Sequence, residues 1–424
     1  MHRDNDMTPR IAIVDGYSTG RLLAPAIHAM GGDTIHIASS PQPPEILQRS
    51  SGHGAREALP HDTPEVIARQ LRQRGVDAVL AGAESGVLFA DELCHHLGLT
   101  WNVHRLSAAR RDKHLMIEQL RSAGLPVVQQ IRSADPAQIY QWATVQQEWP
   151  IVIKPVMSTS SEDVFFCHNL EQITIATETI VGKLNYLDVL NTDVLAQTYL
   201  DGPIYVVNSV SHRGRHTTSD MWQFDFERTP GKGIRMVQHT LLTPTFDRFD
   251  ELITYNNRAL SALGIDNGPS HTELKLTPDG PSMIETGARL MGATIEEVPF
   301  RRSLEFTQVD LTAQALCTPD EFAARQQVQH PDRPMAIVWV HFDTDGRITG
   351  TDGLSRLEDI ASVVGLYGLP VKGDVVLPSS DTTGQHGFIY LQADNELQVH
   401  RDCRRVRRLV REGSLFDLDA RKVG

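Results

Sequence analysis

The sequence predicts a mixed α/β and α+β fold, with a parallel sheet first and antiparallel sheets after it. Strand-like and helix-like segments alternate over about the first 100 of the 424 residues, which is typical of a parallel sheet covered by helices. Between residues 194 and 286 strands follow one another through tight turns, which indicates an antiparallel sheet. After residue 334 short strands separated by Asp-Gly turns dominate, so we expect a β-rich C-terminal part.

The composition excludes several classes of protein. Hydrophobic residues make up 40% of the chain and charged residues 22%, which is enough to build globular cores. The net charge of −13 argues against nucleic acid as the main partner. Apolar runs fall far short of the roughly 20 residues of a membrane helix. The four cysteines show no CxxC spacing, so neither a zinc ribbon nor a disulfide framework is indicated. We therefore expect a soluble, cytoplasmic protein that handles small molecules, without a nucleic-acid or membrane partner.

The N-terminal elements predict a Rossmann-like domain over residues 1–104. Predicted strands cover residues 10–15, 34–38 and 76–81, and predicted helices cover residues 21–30, 64–74 and the segment that ends at residue 97. Ligands of such a sheet lie beyond the carboxyl ends of its strands, here residues 16–20 and 82–86. The glycines there fit tight turns without a ligand equally well. No GxGxxG motif follows a strand and no GxxxxGK[ST] motif occurs, which disfavours a dinucleotide site and a P-loop.

The rest of the chain alternates between the two element types. Predicted helices cover residues 106–123, 171–181 and 249–263. One predicted strand starts at residues 125–128, and others cover residues 150–155, 194–200, 204–211, 216–226, 271–276 and 283–286. Residues 331–334 are predicted to be a linker. The last predicted helix, residues 401–412, carries Val406, Leu409 and Val410 on one face and arginines on the other. A helix docked through its apolar face fits this pattern better than nucleic-acid binding, because no aromatic residues are interleaved with the arginines.

Two lysines are candidates for binding an anion. Lys113 lies in an Arg-Asp-Lys sequence at a predicted helix, and Lys154 closes an apolar strand just before Pro155. A lysine at the end of a buried strand places a cation beside a partly dehydrated site, where phosphate is the usual anion. Taken singly, either lysine also fits a solvated surface position.

Two glutamates and an arginine form a second candidate site. Glu273 and Glu285 lie on adjacent predicted strands at an even separation, so both side chains are expected on one face. Opposed carboxylates repel each other unless a cation lies between them. Their oxygen ligands favour Mg²⁺, which is normally shared with phosphate oxygens. The alternative is that both glutamates are solvated acids on the face of the sheet. Arg289 offers a bidentate fork for phosphate or carboxylate, and Gly287 and Gly292 let the chain turn closely around a ligand.

In this order and spacing the features resemble the ATP-grasp superfamily, whose fold clamps ATP between two α+β subdomains. The resemblance runs from about residue 102 to residue 292 and implies subdomains at residues 105–193 and 194–330, with a C-terminal β-rich subdomain at residues 331–424. It implies that Lys113 and Lys154 bind ATP, that Glu273 and Glu285 bind Mg²⁺ or Mn²⁺, and that Arg289 acts with Lys154 in catalysis. The other ATP-binding residues that it implies lie in a phosphate loop and in a hinge whose backbone reads adenine: Ser158, Ser160, Ser161, Gln197, Thr198, Tyr199 and Leu200.

Within the superfamily, the sequences HTELKLT at residues 271–277 and ETGARLMG at residues 285–292 are most similar to the L-amino-acid ligases, the bacilysin-synthetase-like enzymes that make dipeptides. This resemblance implies an ATP-dependent ligase that couples an amino-acid carboxylate to an amine through an acyl phosphate. The substrate-binding residues that it implies are Arg289, Gly292, Ala293, Gln238, His239 and His271. A ligase for another carboxylate in siderophore or antibiotic assembly and a non-catalytic nucleotide-binding module are the alternatives. The oligomeric state stays open, with a homodimer among the choices.

Three positions depart from the family pattern. Ile204 lies where the family has a glutamate for the ribose hydroxyls, which predicts loose ATP binding. The phosphate loop at residues 158–161 contains no glycine, which predicts a stiffer loop. Gly287 replaces an asparagine that binds metal in many members. Lys232, in the loop at residues 229–233, fits either a lid over the site or a plain exposed hairpin.

Overall fold

A computed structural model of the chain describes residues 8–48, 53–229, 234–292, 297–379 and 384–419. Two predicted positions, Lys232 and Ala293, lie outside these residues. The described chain forms four sheets, one of them parallel and the others antiparallel, as the fold class predicted from the sequence requires. No helix within the described ranges is long and apolar enough to cross a membrane.

The N-terminal sheet is parallel, with the strand order β3-β2-β1-β4. Its elements are β1 (Arg10–Val14), α1 (Leu23–Ala29), β2 (Asp33–Ile37), α2 (Glu45–Gln48), β3 (Glu57–Leu59), α3 (Pro64–Gln73), β4 (Ala78–Ala81) and α4 (Val87–Leu97). The strand order reverses between β1 and β4, so the turns that follow these two strands meet at one edge. A Cβ on Gly20 would lie 2.3 Å from the Gly82 carbonyl oxygen, so these turns need glycine to pack closely.

The next sheet is antiparallel, with the order β5-β8-β6-β7. Its elements are α5 (Lys113–Ser122), β5 (Gln130–Ser133), α6 (Pro136–Gln146), β6 (Ile151–Pro155), β7 (Phe165–Cys167), α7 (Leu170–Ile180) and β8 (Val194–Thr198). The helix predicted over residues 106–123 begins only at Lys113, because the Asp112 side chain accepts a hydrogen bond from the Leu115 amide and caps the helix there. The strand predicted to start at residues 125–128 begins later, since the chain pairs only from Gln130 onwards.

The largest sheet has eight antiparallel strands in the order β13-β12-β9-β10-β11-β14-β18-β16. The remaining elements are β9 (Ile204–His212), β10 (Arg215–Arg228), β11 (Ile234–Leu241), α8 (Phe249–Ala262), β12 (Gly268–Thr277), β13 (Gly280–Gly287), α9 (Glu297–Ser303), α10 (Gln308–Cys317), α11 (Pro319–Ala324), β14 (Met335–Trp339), β15 (Gly346–Gly350), β16 (Val363–Tyr367), β17 (Val375–Val376), β18 (Phe388–Gln392), α12 (Glu396–Arg411) and β19 (Asp417–Asp419). Because β14 pairs with β11, this sheet runs across the predicted boundary at residue 331. The strand β8 likewise pairs with strands that lie before the predicted boundary at residue 194.

The C-terminal helix α12 docks through the apolar face predicted for it. Val406 and Val410 are buried, and Leu409 packs against the same core. On the other side of the helix Arg407 and Arg411 donate to Glu227 at 3.0 and 3.1 Å. Part of the basic face therefore makes intramolecular contacts, with a glutamate near the end of β10.

Candidate active site

A cleft of about 570 Å³ is lined by residues from the antiparallel sheet β5-β8-β6-β7 and from the eight-stranded sheet. Its lining includes the five charged residues that the sequence singled out: Lys113, Lys154, Glu273, Glu285 and Arg289. The strand β6 and the start of α5 supply the lysines, and the facing strands β12 and β13 supply the glutamates. The structure thus brings the two candidate sites of the sequence together as one.

The two lysines hold different positions in the cleft. The Lys113 ammonium lies 2.9 Å from the Ser158 carbonyl oxygen and 2.9 Å from Glu285 Oε2. Lys154 is 7% exposed, and burial lowers the pKa of its ammonium to about 8. Lys113 adds to this lowering, while Glu285 and Glu273 oppose it. The two lysines carry two positive charges, and Lys113 forms an ion pair with Glu285. The remaining positive charge would attract a bound phosphate.

Glu273 and Glu285 lie directly opposite each other in the β12–β13 register, with a bulge just after Glu273. Their side chains are 19% and 26% exposed, and both residues line the cleft. Burial would raise the pKa of Glu285, but Lys113 and Lys154 hold it below its ordinary value. No group of three or more metal-ligating side chains occurs within the residues that the structure describes. A pair of carboxylates fits Mg²⁺, which takes one or two protein carboxylates and completes its shell with phosphate oxygens and water.

The serine loop forms one wall of the cleft. Ser158, Ser160 and Ser161 all line it. Ser160 and Ser161 have φ values of 62° and 58°, the left-handed region where glycine is normally found. The Ser158 hydroxyl donates to Glu162, whose carboxylate also accepts the Tyr186 amide at 2.9 Å. The loop therefore combines strained backbone positions with an internal anchor, and its stiffness stays a prediction.

The predicted hinge lies at the end of β8, where Gln197, Thr198, Tyr199 and Leu200 line the cleft. The Tyr199 ring meets Phe166 edge to face at 5.7 Å. The Thr198 amide donates to the Gln129 carbonyl at 3.0 Å, so it is already engaged within the protein. Ile204, at the start of β9, lines the cleft beside these residues as an apolar group.

Arg289 has a partner that the sequence did not indicate. Its Nε donates to Glu84 Oε2 at 2.6 Å, and Glu84 also accepts from Arg111. Burial would raise the pKa of Glu84, but Arg111 and Arg289 lower it to about 2. Glu84 follows β4 in the glycine-rich turn that the sequence singled out, so the parallel sheet places a carboxylate behind Arg289, beside the cleft.

The far end of the cleft is apolar and aromatic. The His239 ring stacks on Phe224 at 3.7 Å and lies 5.2 Å from the ring of Trp339. Burial and His271 lower the pKa of His239 well below its ordinary value, so its imidazole is neutral. Met291 packs in the same cluster as Phe224 and Trp339, and Gly292 also lines the cleft. Gln238 is not among the cleft residues. Its side chain lies on the opposite face of β11 from His239 and donates to Thr240 Oγ1 at 2.8 Å.

A buried polar chain orients His271. Asp220 accepts hydrogen bonds from Asn208 Nδ2 at 2.5 Å, from Trp222 Nε1 at 2.5 Å and from the Ser219 hydroxyl at 2.7 Å. Because the Asn208 amide nitrogen faces Asp220, its oxygen faces His271 Nδ1 at 2.8 Å, and Nδ1 must carry the proton. His271 Nε2 then faces Glu273 Oε1 at 3.6 Å. The sequence offered one signal for this polar chain, namely an asparagine and an aspartate, Asn208 and Asp220, within predicted strands.

The fold and the cleft define a class of nucleotide-dependent enzyme, and comparisons with known proteins agree. Residues 147–297 match the family model described as the ATP-grasp domain. The chain is 31% identical over 394 residues to dapdiamide A synthase from Enterobacter agglomerans, covering 91% of this chain and 92% of that protein.

Solved structures show the same fold. The L-amino acid ligase from Bacillus licheniformis superposes with a TM-score of 0.74 at 18% identity, covering 99% of this chain and all of that one. The carboxyaminoimidazole ribonucleotide synthase from Aspergillus clavatus, complexed with ATP, has a TM-score of 0.68 at 14% identity and covers 95% of this chain and 99% of that one. The chain belongs to the ATP-grasp family, as a ligase of the kind that forms C–N bonds.

Proposed function

We propose that the protein joins the carboxylate of an amino acid to an amine, in particular a second amino acid, through an acyl-phosphate intermediate. The observation that carries the proposal is the convergence of Lys113, Lys154, Glu273, Glu285 and Arg289 in one cleft. Such a set neutralises the charge of ATP phosphates and of a phosphoryl group in transfer. Dapdiamide A synthase and the L-amino acid ligase, relatives by sequence and by fold respectively, support a small-molecule coupling reaction of this type.

In the proposed reaction an oxygen of the substrate carboxylate attacks the γ-phosphorus of ATP. The bond from that phosphorus to the bridging oxygen breaks, giving an acyl phosphate and ADP. The amine then attacks the acyl carbon. Phosphate leaves together with the oxygen that joined it to the acyl carbon, and the nitrogen loses a proton. The free energy of ATP hydrolysis removes the thermodynamic barrier to amide formation.

The protein contributes position and charge to these steps. Lys113 and Lys154 hold the phosphates, and Arg289 holds the group that is transferred and later leaves as phosphate. Glu273 and Glu285 would hold Mg²⁺, or Mn²⁺ in its place, which would neutralise phosphate oxygens when bound. The neutral, aromatic end around His239 and Phe224 receives the substrate side chain. We place this activity in the cytoplasm, where ATP is supplied.

The test is a matrix of amino acids, assayed for phosphate release from ATP and for products by mass spectrometry. We expect phosphate release that requires both an acid and an amine, with a product mass equal to the sum of the two minus water. Glu273→Gln and Glu285→Gln should abolish the Mg²⁺-dependent turnover and leave the fold intact. A second set of non-amino-acid carboxylates, assayed in the same way, tests the other ligase hypothesis. Phosphate release with these acids alone would favour that hypothesis, and nucleotide binding without any turnover would contradict the proposal.

A further inference from the structure

A carboxylate that follows the parallel sheet contacts Arg289, which lines the cleft. Glu84 follows the parallel strand β4, whereas Arg289 follows β13 of the eight-stranded sheet. The two side chains are only 12% and 14% exposed and meet at 2.6 Å between Nε and Oε2. The other carboxylate oxygen of Glu84 accepts from Arg111, which lies just before α5. One carboxylate thus joins three parts of the fold next to the cleft.

The contact fixes the direction of the Arg289 fork. A guanidinium has five N–H groups in one plane. Its Nε–H donates to Glu84, and NH1 donates to the Leu290 carbonyl at 2.9 Å. These two bonds set the plane of the group and leave three N–H groups for other partners, while the side chain lines the cleft. An arginine held in this way needs no reorganisation to bind a phosphoryl group.

Gly287 provides the space for this contact. A Cβ at position 287 would lie 2.7 Å from Glu84 Oε2 and 3.1 Å from Arg289 Nε. Its φ is not in the left-handed region, so alanine would be tolerated by the backbone and resisted only by these two side chains. The glycine at this position therefore serves the approach of the carboxylate to the arginine.

Resting on the proposed function, we propose that Glu84 is a positioning residue that aims Arg289 at the transferred phosphoryl group and keeps it from the metal-binding carboxylates. Without Glu84 the arginine has Glu285 and Glu273 as alternative partners, because both line the same cleft as Arg289. A guanidinium that turned to them would leave the phosphoryl group and would compete with the metal. The N-terminal domain then completes the active site through Glu84.

The contact itself is tested first, on the ATP-free protein. In a sample labelled with ¹⁵N-arginine, the Nε–H signal of Arg289 is the one missing from Arg289→Lys. We expect it to exchange slowly with water in the wild-type protein, and fast in Glu84→Gln and Gly287→Ala. Slow exchange that persists in Glu84→Gln would overturn the pairing. This measurement needs no substrate, so it stands even if the wild-type protein makes no amide.

The role in the reaction is tested by kinetics. We expect Glu84→Gln to lower kcat by about 10- to 100-fold, the cost of a misplaced group, with the KM for ATP within about threefold. Gly287→Ala should reproduce this loss, and the double variant of Glu84→Gln with Arg289→Lys should be no slower than Arg289→Lys alone. A kcat within threefold of wild type in Glu84→Gln, or additive losses in the double variant, would overturn the proposal.

Asp91→Asn is the matched control. Asp91, on α4 of the N-terminal domain, pairs with the buried Arg110 at 2.7 Å and does not contact Arg289. The variant Asp91→Asn weakens a buried ion pair, Asp91–Arg110, of the same kind as Glu84–Arg289 and near the same junction between the parallel sheet and the rest of the fold. We expect it to lower the melting temperature while kcat and the Arg289 signal stay at wild-type values. Equal loss of kcat in Asp91→Asn and Glu84→Gln would show that Glu84 only holds the domains together.

Discussion

We predict that Lys154 makes the binding of ATP dependent on pH. Burial lowers the pKa of its ammonium to about 8, so the cation is present below pH 8 and is lost as the pH rises above it. At pH 7.5 about three-quarters of the lysine is charged, and at pH 9 about one-tenth is. If phosphate binding requires the charged form, the apparent Kd for ATP should rise roughly eightfold between these two pH values.

The variant Lys154→Arg removes this dependence, since a guanidinium stays charged over the whole range. The assay is calorimetric titration with ATP and Mg²⁺ at a series of pH values, on both proteins. Adenosine serves as the control ligand, because it carries no phosphate and its Kd should not change with pH. A flat profile in the wild-type protein, or the same rise in Lys154→Arg, would refute the role given to Lys154.

Three further predictions concern the nucleotide pocket, the substrate pocket and the N-terminal turns. Ile204→Glu should lower the KM for ATP, because a carboxylate there can accept the ribose hydroxyls; an unchanged or higher KM would mean that ribose binds differently. Ala293→Trp should shift kcat/KM away from a bulky amino acid toward alanine or glycine, because added bulk in a packed site is poorly tolerated; a constant ratio would exclude Ala293 from the pocket. Gly20→Ala should reduce the free energy of unfolding by about 1–3 kcal/mol, since its Cβ would meet the Gly82 carbonyl at 2.3 Å, and a denaturant titration without loss would contradict that packing.

Up to residue 292, local patterns in the sequence predicted most of the described strands and helices but not how the sheets combine. The helix α10 was missed because Gln308, Thr312 and Gln314 are buried along with its apolar residues, so no apolar stripe marks one face. The pairing of β11 with β14 joins segments nearly a hundred residues apart, and only the tertiary structure reveals it.

The same distinction holds for the candidate site. The opposition of Glu273 and Glu285 followed from an even spacing on neighbouring strands, and the structure has them in register. Glu84 could not be found in this way, because its place depends on how the N-terminal domain lies against β13. His239 and Gln238 were proposed together, but neighbouring residues on a strand face opposite sides, and only His239 lines the cleft.

Transfer of ¹⁸O from the acid to phosphate tests the acyl-phosphate reaction most directly. The acid found active in the amino-acid matrix would be labelled at both carboxylate oxygens and incubated with ATP, Mg²⁺ and the amine. Attack of the carboxylate on ATP moves one of its oxygens into the phosphate and keeps the other in the amide. We expect one ¹⁸O in the released phosphate for each amide formed, by mass spectrometry. Amide formation with unlabelled phosphate would contradict the acyl-phosphate route.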